Sequence, residues 1–240
     1  MTASVAPTDS LRPDERPLAE YRAVSRTAIF ALLLGFASAL TLVNPLLSVV
    51  PLAAIACSAI ALRAIASSDG QLVGRRLAMA GLCLATLLLG WGLAQYTVRQ
   101  AALATQAQRV SDGWLALVRQ GQIQAAHQLM QPPTQRLSSE EAVAKHYEMN
   151  EEARKNLQAV VSAAPMRDFI TLGADAEVRF DSVAMQYREG FMDNVVLKYT
   201  FGRAGASAAG TPIWITVMRS VDEKTHKAEW TVRSADARAP

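Results

Sequence analysis

The sequence predicts two parts: a membrane α-helical module of three transmembrane helices, then an α+β domain with helices packed on a curved antiparallel sheet. Three observations predict it. Thr27 to Leu62 is a run of 36 residues with no charged side chain, and Leu77 to Val98 is another of 22. Such runs exceed what a soluble core helix needs and match bilayer-crossing segments. From Gln100 on, charge returns, with 16 basic and 16 acidic side chains, and helical patterns give way to alternating ones. The formal +3 of the 240-residue chain therefore comes from residues 1–99. A nucleic-acid partner would need a basic face on the part from Gln100 on, and its composition shows none. The expected partner of the first part is the lipid bilayer.

Residues 1–26, "MTASVAPTDSLRPDERPLAEYRAVSR", are polar and proline-containing. A cleavable signal peptide would place a short apolar core directly behind a basic start; here the apolar run begins late and continues too long. The segment is expected to be a disordered cytoplasmic tail.

Thirty-six helical residues would measure roughly 54 Å against a hydrocarbon core of about 30 Å. One straight helix fits poorly. Asn44-Pro45 interrupts the run, with Pro51 following, and proline disfavours helix in the residue before it. The module over 27–98 thus divides into spans near 27–43, 47–65 and 77–98. Charge agrees with this division. With the N-terminus inside, the cytoplasmic side holds Arg12, Arg16, Arg22, Arg26, Arg63, Arg75 and Arg76, while the Asn-Pro turn holds no charge. The topology-setting residues are Arg63, Arg75 and Arg76, in the turn between the second and third spans. Two spans would put that basic turn outside, against the positive-inside rule.

Small residues recur every four positions: Ala31, Gly35 and Ala39; Ala53, Cys57 and Ala61; Gly81 and Ala85. This spacing lets helix backbones approach closely within the module, or across a dimer face. No ionisable residue lies inside the apolar runs, which argues against a proton relay or transporter. Trp91 and Tyr96 suit an outer interfacial belt.

"AIFALLLGFAS" (28–38), "IALRAI" (60–65) and "GRRLAMAG" (74–81) together resemble the bacterial membrane family called domain of unknown function 4190. The resemblance covers residues 27–98 and departs at Cys57 and Ser58, where that family usually has glycine. It implies a membrane module often fused to other domains and implies no catalytic residue.

The domain over 99–240 is expected outside the cytoplasmic membrane. "AALATQAQRVSDGWLALVRQG" predicts a helix with Val110, Trp114, Leu117 and Val118 on one face, continuing the third span as a stalk and ending at Gly121. "QIQAAHQLM" predicts a short helix stopped by Pro132-Pro133. A longer helix starts at Ser138, with Ser138-x-x-Glu141 as a capping box, and buries Val143, Tyr147, Ala153, Leu157 and Val160. Strands follow: "AEVRFDSVAMQY" and "DNVVLKYTFG" form a hairpin across Glu189-Gly190, and "TPIWITVMRS" and "KAEWTVRS" a second across "VDEKTH". "GRAGASAAG" between the pairs predicts a flexible loop. Helices followed by a meander resemble the nuclear-transport-factor-2-like (cystatin-like) fold. That resemblance implies a cone-shaped cavity between sheet and helix.

Site chemistry is sparse. His127, His146 and His226 have no metal-ligand spacing. His146 and Tyr147 on the long helix, and Asp181 and Tyr187 on the first strand, are the pocket candidates; Arg179 shares that strand. Trp214 and Trp230 are expected as sheet-face aromatics. Cys57 and Cys83 both fall in predicted spans, leaving none for a disulfide in the domain. No catalytic, cofactor-binding or metal-ligating residue is expected, and no cofactor. The expected protein is non-catalytic and presents its domain to an envelope protein or to a second copy. The alternative is a small-ligand sensor or enzyme using a pocket between the sheet and the long helix.

Overall fold

The computed structural model describes residues 23–42, 45–68, 72–205, 210–222 and 227–239. The predicted tail with Arg12, Arg16 and Arg22, and the turn residues Asn44, Asp69 and Gly70, lie outside the described residues, as do 206–209 and 223–226 with His226. The chain divides into two units, Met1–Thr97 and Val98–Pro240.

In the first unit, a two-residue strand β1 (Ala23–Val24) leads into α1 (Arg26–Ala37), which tightens into a 3-10 turn over Ser38–Leu42. A second 3-10 turn, Pro45–Ser48, opens α2 (Val49–Ala66). Strand β2 (Leu72–Val73) precedes α3 (Arg75–Arg119). β1 and β2 pair in parallel, Ala23 with Leu72 and Val24 with Val73. Two of these helical segments, Leu46–Ala66 and Arg75–Arg119, are long and apolar enough to cross a membrane; Arg26–Leu42 is a shorter apolar helix.

Burial in this unit inverts the pattern of a soluble core. The buried residues are small: Ala28, Ala31, Gly35 and Ser38; Ala54, Ser58 and Ala61; Ala78, Gly81 and Ala85. Large apolar side chains face outward, with Phe30 63%, Phe36 64% and Leu87 62% exposed. The seam on α2 is therefore Ala54-Ser58-Ala61. The expected Ala53 is exposed and Cys57 half-buried, and on α1 Ser38 rather than Ala39 is inside. Two buried serines bond back along the chain, Ser58 Oγ to Ala54 O (2.7 Å) and Ser38 Oγ to Leu34 O (2.8 Å), while the buried Thr41 Oγ1 donates to Leu47 O in the next turn (3.4 Å).

α1 and α3 run in parallel and touch backbone to backbone. A Cβ on Gly81 would lie 2.7 Å from Ala31 O, and one on Gly35 would lie 3.0 Å from Gly81 O. Only glycine fits at that crossing. Further along, a Cβ on Gly92 would meet Thr41 Cγ2 at 3.1 Å.

In the second unit, α3 ends at Arg119, just before Gly121, and the short α4 (Ile123–Gln128) follows. The predicted long helix is two helices, α5 (Glu140–Met149) and α6 (Glu151–Ser162). Ser139, not Ser138, caps the first, accepting from Ala142 N at 3.2 Å. Asn150 has extended backbone and caps the second, accepting from Ala153 N at 3.1 Å. An Asn followed by Glu151-Glu152 satisfies a new helix start better than a helix interior, so the chain restarts there. α7 (Met166–Leu172) leads to the sheet.

The sheet is an open antiparallel meander in the order β3-β4-β5-β6. Its strands are β3 (Ala176–Glu189), β4 (Met192–Arg203), β5 (Thr211–Val221) and β6 (Ala228–Asp236). Gly190 takes φ 60° in the two-residue turn of the first hairpin, a conformation that favours glycine. Register shifts at Asp181, at Ala184 and near Arg233 are bulges, which bend the strands. Val195, Leu197, Tyr199 and Phe201 of β4, with Ile213, Ile215 and Val217 of β5, pack against Leu103, Ala107, Trp114, Leu115 and Val118 of α3 and Phe169 of α7. Trp114 Nε1 donates to Ala126 O at 3.0 Å, fixing α4 to this core. The helix on the sheet is thus α3. α6 has no fully buried residue, and its Leu157, Val160 and Val161 meet α3, α4 and α7 instead.

Candidate functional site

The alternation of β4 sends its odd residues to the core, so its even residues face away from the helices. Thr200 is on that outer face, and its hydroxyl donates to Asp181 (2.5 Å), which also pairs with Arg179 at 3.3 Å. The Thr200 hydroxyl, aided by Arg179 and Lys198, holds the Asp181 carboxyl below its ordinary range. Tyr187 stands opposite Asn194 on the same outer face and is 37% exposed. Trp214 stands opposite Lys198 there, with the ammonium 5.8 Å from its ring centre. The apolar side chains named above fill the sheet–helix interface apart from a cleft between α3 and the strands β3 and β4.

The other two candidates sit on α5 and point different ways. Tyr147 is buried; its hydroxyl is 2.6 Å from His127 Nδ1 and accepts from Gln128 Nε2 at 3.1 Å. The phenol keeps one proton to give and a second lone pair to receive, so its short bond to His127 Nδ1 serves either imidazole tautomer. Gln128 Oε1 accepts in turn from Leu137 N at 3.1 Å. Burial, with the charge of His146 adding to it, lowers the His127 pKa, and burial raises that of Tyr147. His146 turns outward into an open depression with Leu137, Met149 and Glu152, its ring edge-on to Tyr147 at 5.4 Å.

Beside this network lies a groove of about 770 Å³ between α3–α4 and α5–α6. Its apolar walls are Leu117, Ile123, Leu129, Leu137, Val143 and Leu157; Gln128, Arg136 and Glu140 supply polar groups. Arg136 is held in place by donating to the carbonyls of Leu129 (3.2 Å), Gln131 (3.1 Å) and Trp230 (2.6 Å). A smaller cleft of about 310 Å³ is lined by Gln108, Asp112, Arg119, Phe180 and Tyr199. There Tyr199 donates to Asp112 at 2.7 Å, and burial first, the carboxylate second, push the phenol far above its ordinary pKa. Tyr199 is a fixed neutral donor at physiological pH.

Asp181 and Tyr187 line neither the groove nor the cleft, and the structure does not bring them to His146 and Tyr147. Sequence reasoning missed His127, Gln128, Asp112 and Tyr199. His127 and Tyr147 are twenty residues apart, and Asp112 and Tyr199 eighty-seven, so no local spacing couples them. Among the described residues, no group of three or more His, Cys, Asp or Glu is placed to hold a metal ion. Comparison with protein-family models, curated proteins and solved structures finds no match.

Proposed function

We propose that the chain is a multi-pass protein of the cytoplasmic membrane, with its N-terminus inside, that holds a non-catalytic α+β interaction domain outside. The observation that carries this reading is the inverted burial of the first unit. Small residues inside and phenylalanine and leucine outside suit a lipid solvent and would be costly in water. α1 counts as the third crossing: twelve α-helical and five 3-10 residues extend roughly 28 Å, close to the hydrocarbon thickness. Arg26, Arg75 and Arg76 start the two parallel helices α1 and α3, and Arg63 lies in the last turn of α2. The four share one end of the unit, as the positive-inside rule asks. On this reading the module is of the domain-of-unknown-function-4190 kind.

The domain's business is binding. Its groove offers an apolar floor with a few convergent polar groups, suited to a segment of an envelope protein. The groove's volume also lies in the range of small-ligand sites, which favours a small apolar ligand as the second reading. Alkaline phosphatase, active only outside, tests the topology. Fused after Gly121 it is expected to be active, and after Gly70 inactive. The reverse pattern sinks the three-span reading. A bulky Val143→Trp change is expected to abolish partner crosslinking, and an apolar ligand lost with it in native mass spectra would favour the second reading.

A further inference from the structure

One end of the sheet gathers positive charge and exposed apolar side chains that the groove does not use. Asp193, near the start of β4, is 7% exposed. Arg99 Nη2 reaches both of its oxygens (3.1 and 3.0 Å), Arg219 Nη1 reaches Oδ2 at 3.2 Å, and Arg188 Nε lies 4.0 Å from Oδ1. Register explains the gathering: Arg188 on β3 and Arg219 on β5 stand directly opposite Asp193. One carboxylate does not neutralise three guanidiniums, and the side chains of Arg99 and Arg188 remain 50% and 55% exposed. Gln186 of β3 donates to Gln100 O at 3.3 Å, so this end of the sheet is tied to the stretch of α3 just beyond Val98.

The same end presents Phe191, 87% exposed in the Gly190-Phe191 turn, and Val221, 43% exposed where β5 stops. An apolar ring at the tip of a tight turn gains nothing from water. Arg99 is also the first charged residue after the apolar run that ends at Val98. Arginine donors beside an exposed aromatic, at the point where the chain leaves an apolar stretch, match the chemistry of a phospholipid surface.

We propose that this end of the domain docks on the bilayer. Phe191 and Val221 enter the interfacial layer, while Arg99, Arg188 and Arg219 pair with the phosphates of anionic headgroups. The inference rests on the membrane reading above, and the test separates the two.

The full chain, carrying Cys57→Ala and Cys83→Ala, is reconstituted in phosphatidylcholine vesicles with about 30% phosphatidylglycerol, where each arginine near the surface gains from anionic lipid. A polarity-sensitive fluorophore is placed in turn at Phe191→Cys, at Ala204→Cys beyond the far end of β4, and at Leu87→Cys in the third span. The label at 191 is expected to shift to the blue and to be quenched by lipids carrying a shallow nitroxide. The label at 204 should stay unquenched, and that at 87 should respond to a deep nitroxide. Pure phosphatidylcholine, or Arg188→Gln, is expected to lower quenching at 191 roughly twofold. A label at 191 that behaves like 204 while 87 is quenched overturns the docking and leaves the membrane reading standing. Equal quenching at 191 with and without anionic lipid overturns the headgroup pairing. An unquenched label at 87 overturns the membrane reading and the docking with it.

Discussion

His127 and His146 take opposite roles although both approach Tyr147. Neighbours on a helix point about 100° apart, so when Tyr147 turns inward His146 must turn out. The histidine that meets the tyrosine is the buried one on α4. The sequence singles out Tyr147 with its neighbour His146, which borders an open depression, and does not couple the tyrosine to His127, because contacts across twenty residues leave no local spacing. The buried position carries a pH consequence. Burial, and His146 nearby, hold His127 below the ordinary imidazole value of about 6.5. Between that lowered value and about 6.5 the unfolded chain binds more protons than the folded one. The contribution is complete above about 6.5 and is lost as pH falls through the lowered value. Thermal unfolding followed by circular dichroism should therefore weaken from about pH 7.5 to about pH 5. His127→Gln is expected to flatten that slope while costing about 1 kcal/mol for the altered hydrogen bond.

Among the elements, the three apolar helices and the four strands were legible, and their phases less so. Strand alternation and the Glu189-Gly190 turn are local signals, and the hairpins follow them closely. The helix seam on α2 is displaced by one residue at two of its three positions, because an almost wholly apolar run carries no polar face to mark the inside. Any of several small residues could serve, and the close crossing of α1 and α3 at Gly35 and Gly81 selects which do. That crossing predicts an asymmetry between glycines on one helix. Gly81→Val drives a side chain into the Ala31 backbone and should cost about 1–3 kcal/mol, read as lost α1–α3 cysteine crosslinking and a lower unfolding midpoint. Gly113 has open space where a Cβ would be added, so Gly113→Ala should stabilise α3 by about 0.5–1 kcal/mol. The break at Asn150 was written in the sequence as Asn-Glu-Glu, a start signal overlooked because the apolar spacing runs on across it.

At the scale of the molecule, one chain carries two solvent logics: small-inside in the first unit, large-inside in the second. Hydropathy makes that division plain. Which helix would cover the sheet was not legible, since α3 and α5–α6 both offer an apolar stripe and only long-range packing chooses between them. Charge pairs across the sheet, such as Arg188 and Arg219 about Asp193, were equally hidden, because register between strands sets them. The two cysteines, both free, lie in the first unit, so the second is held by packing, hydrogen bonds and ion pairs without a disulfide. Its denaturant midpoint is expected to be identical with and without reductant; a shift would reveal an intermolecular bond.

The pairing of β1 with β2 has a consequence in time. Parallel neighbours cannot zip together from a tight turn, and these two are separated by the whole of α1 and α2. The clasp can close only once the chain has come back, past the residues of α1 and α2, to where it began. Its two halves lie far apart in the order of synthesis, so no nascent chain can carry a closed clasp before Val73 has been made.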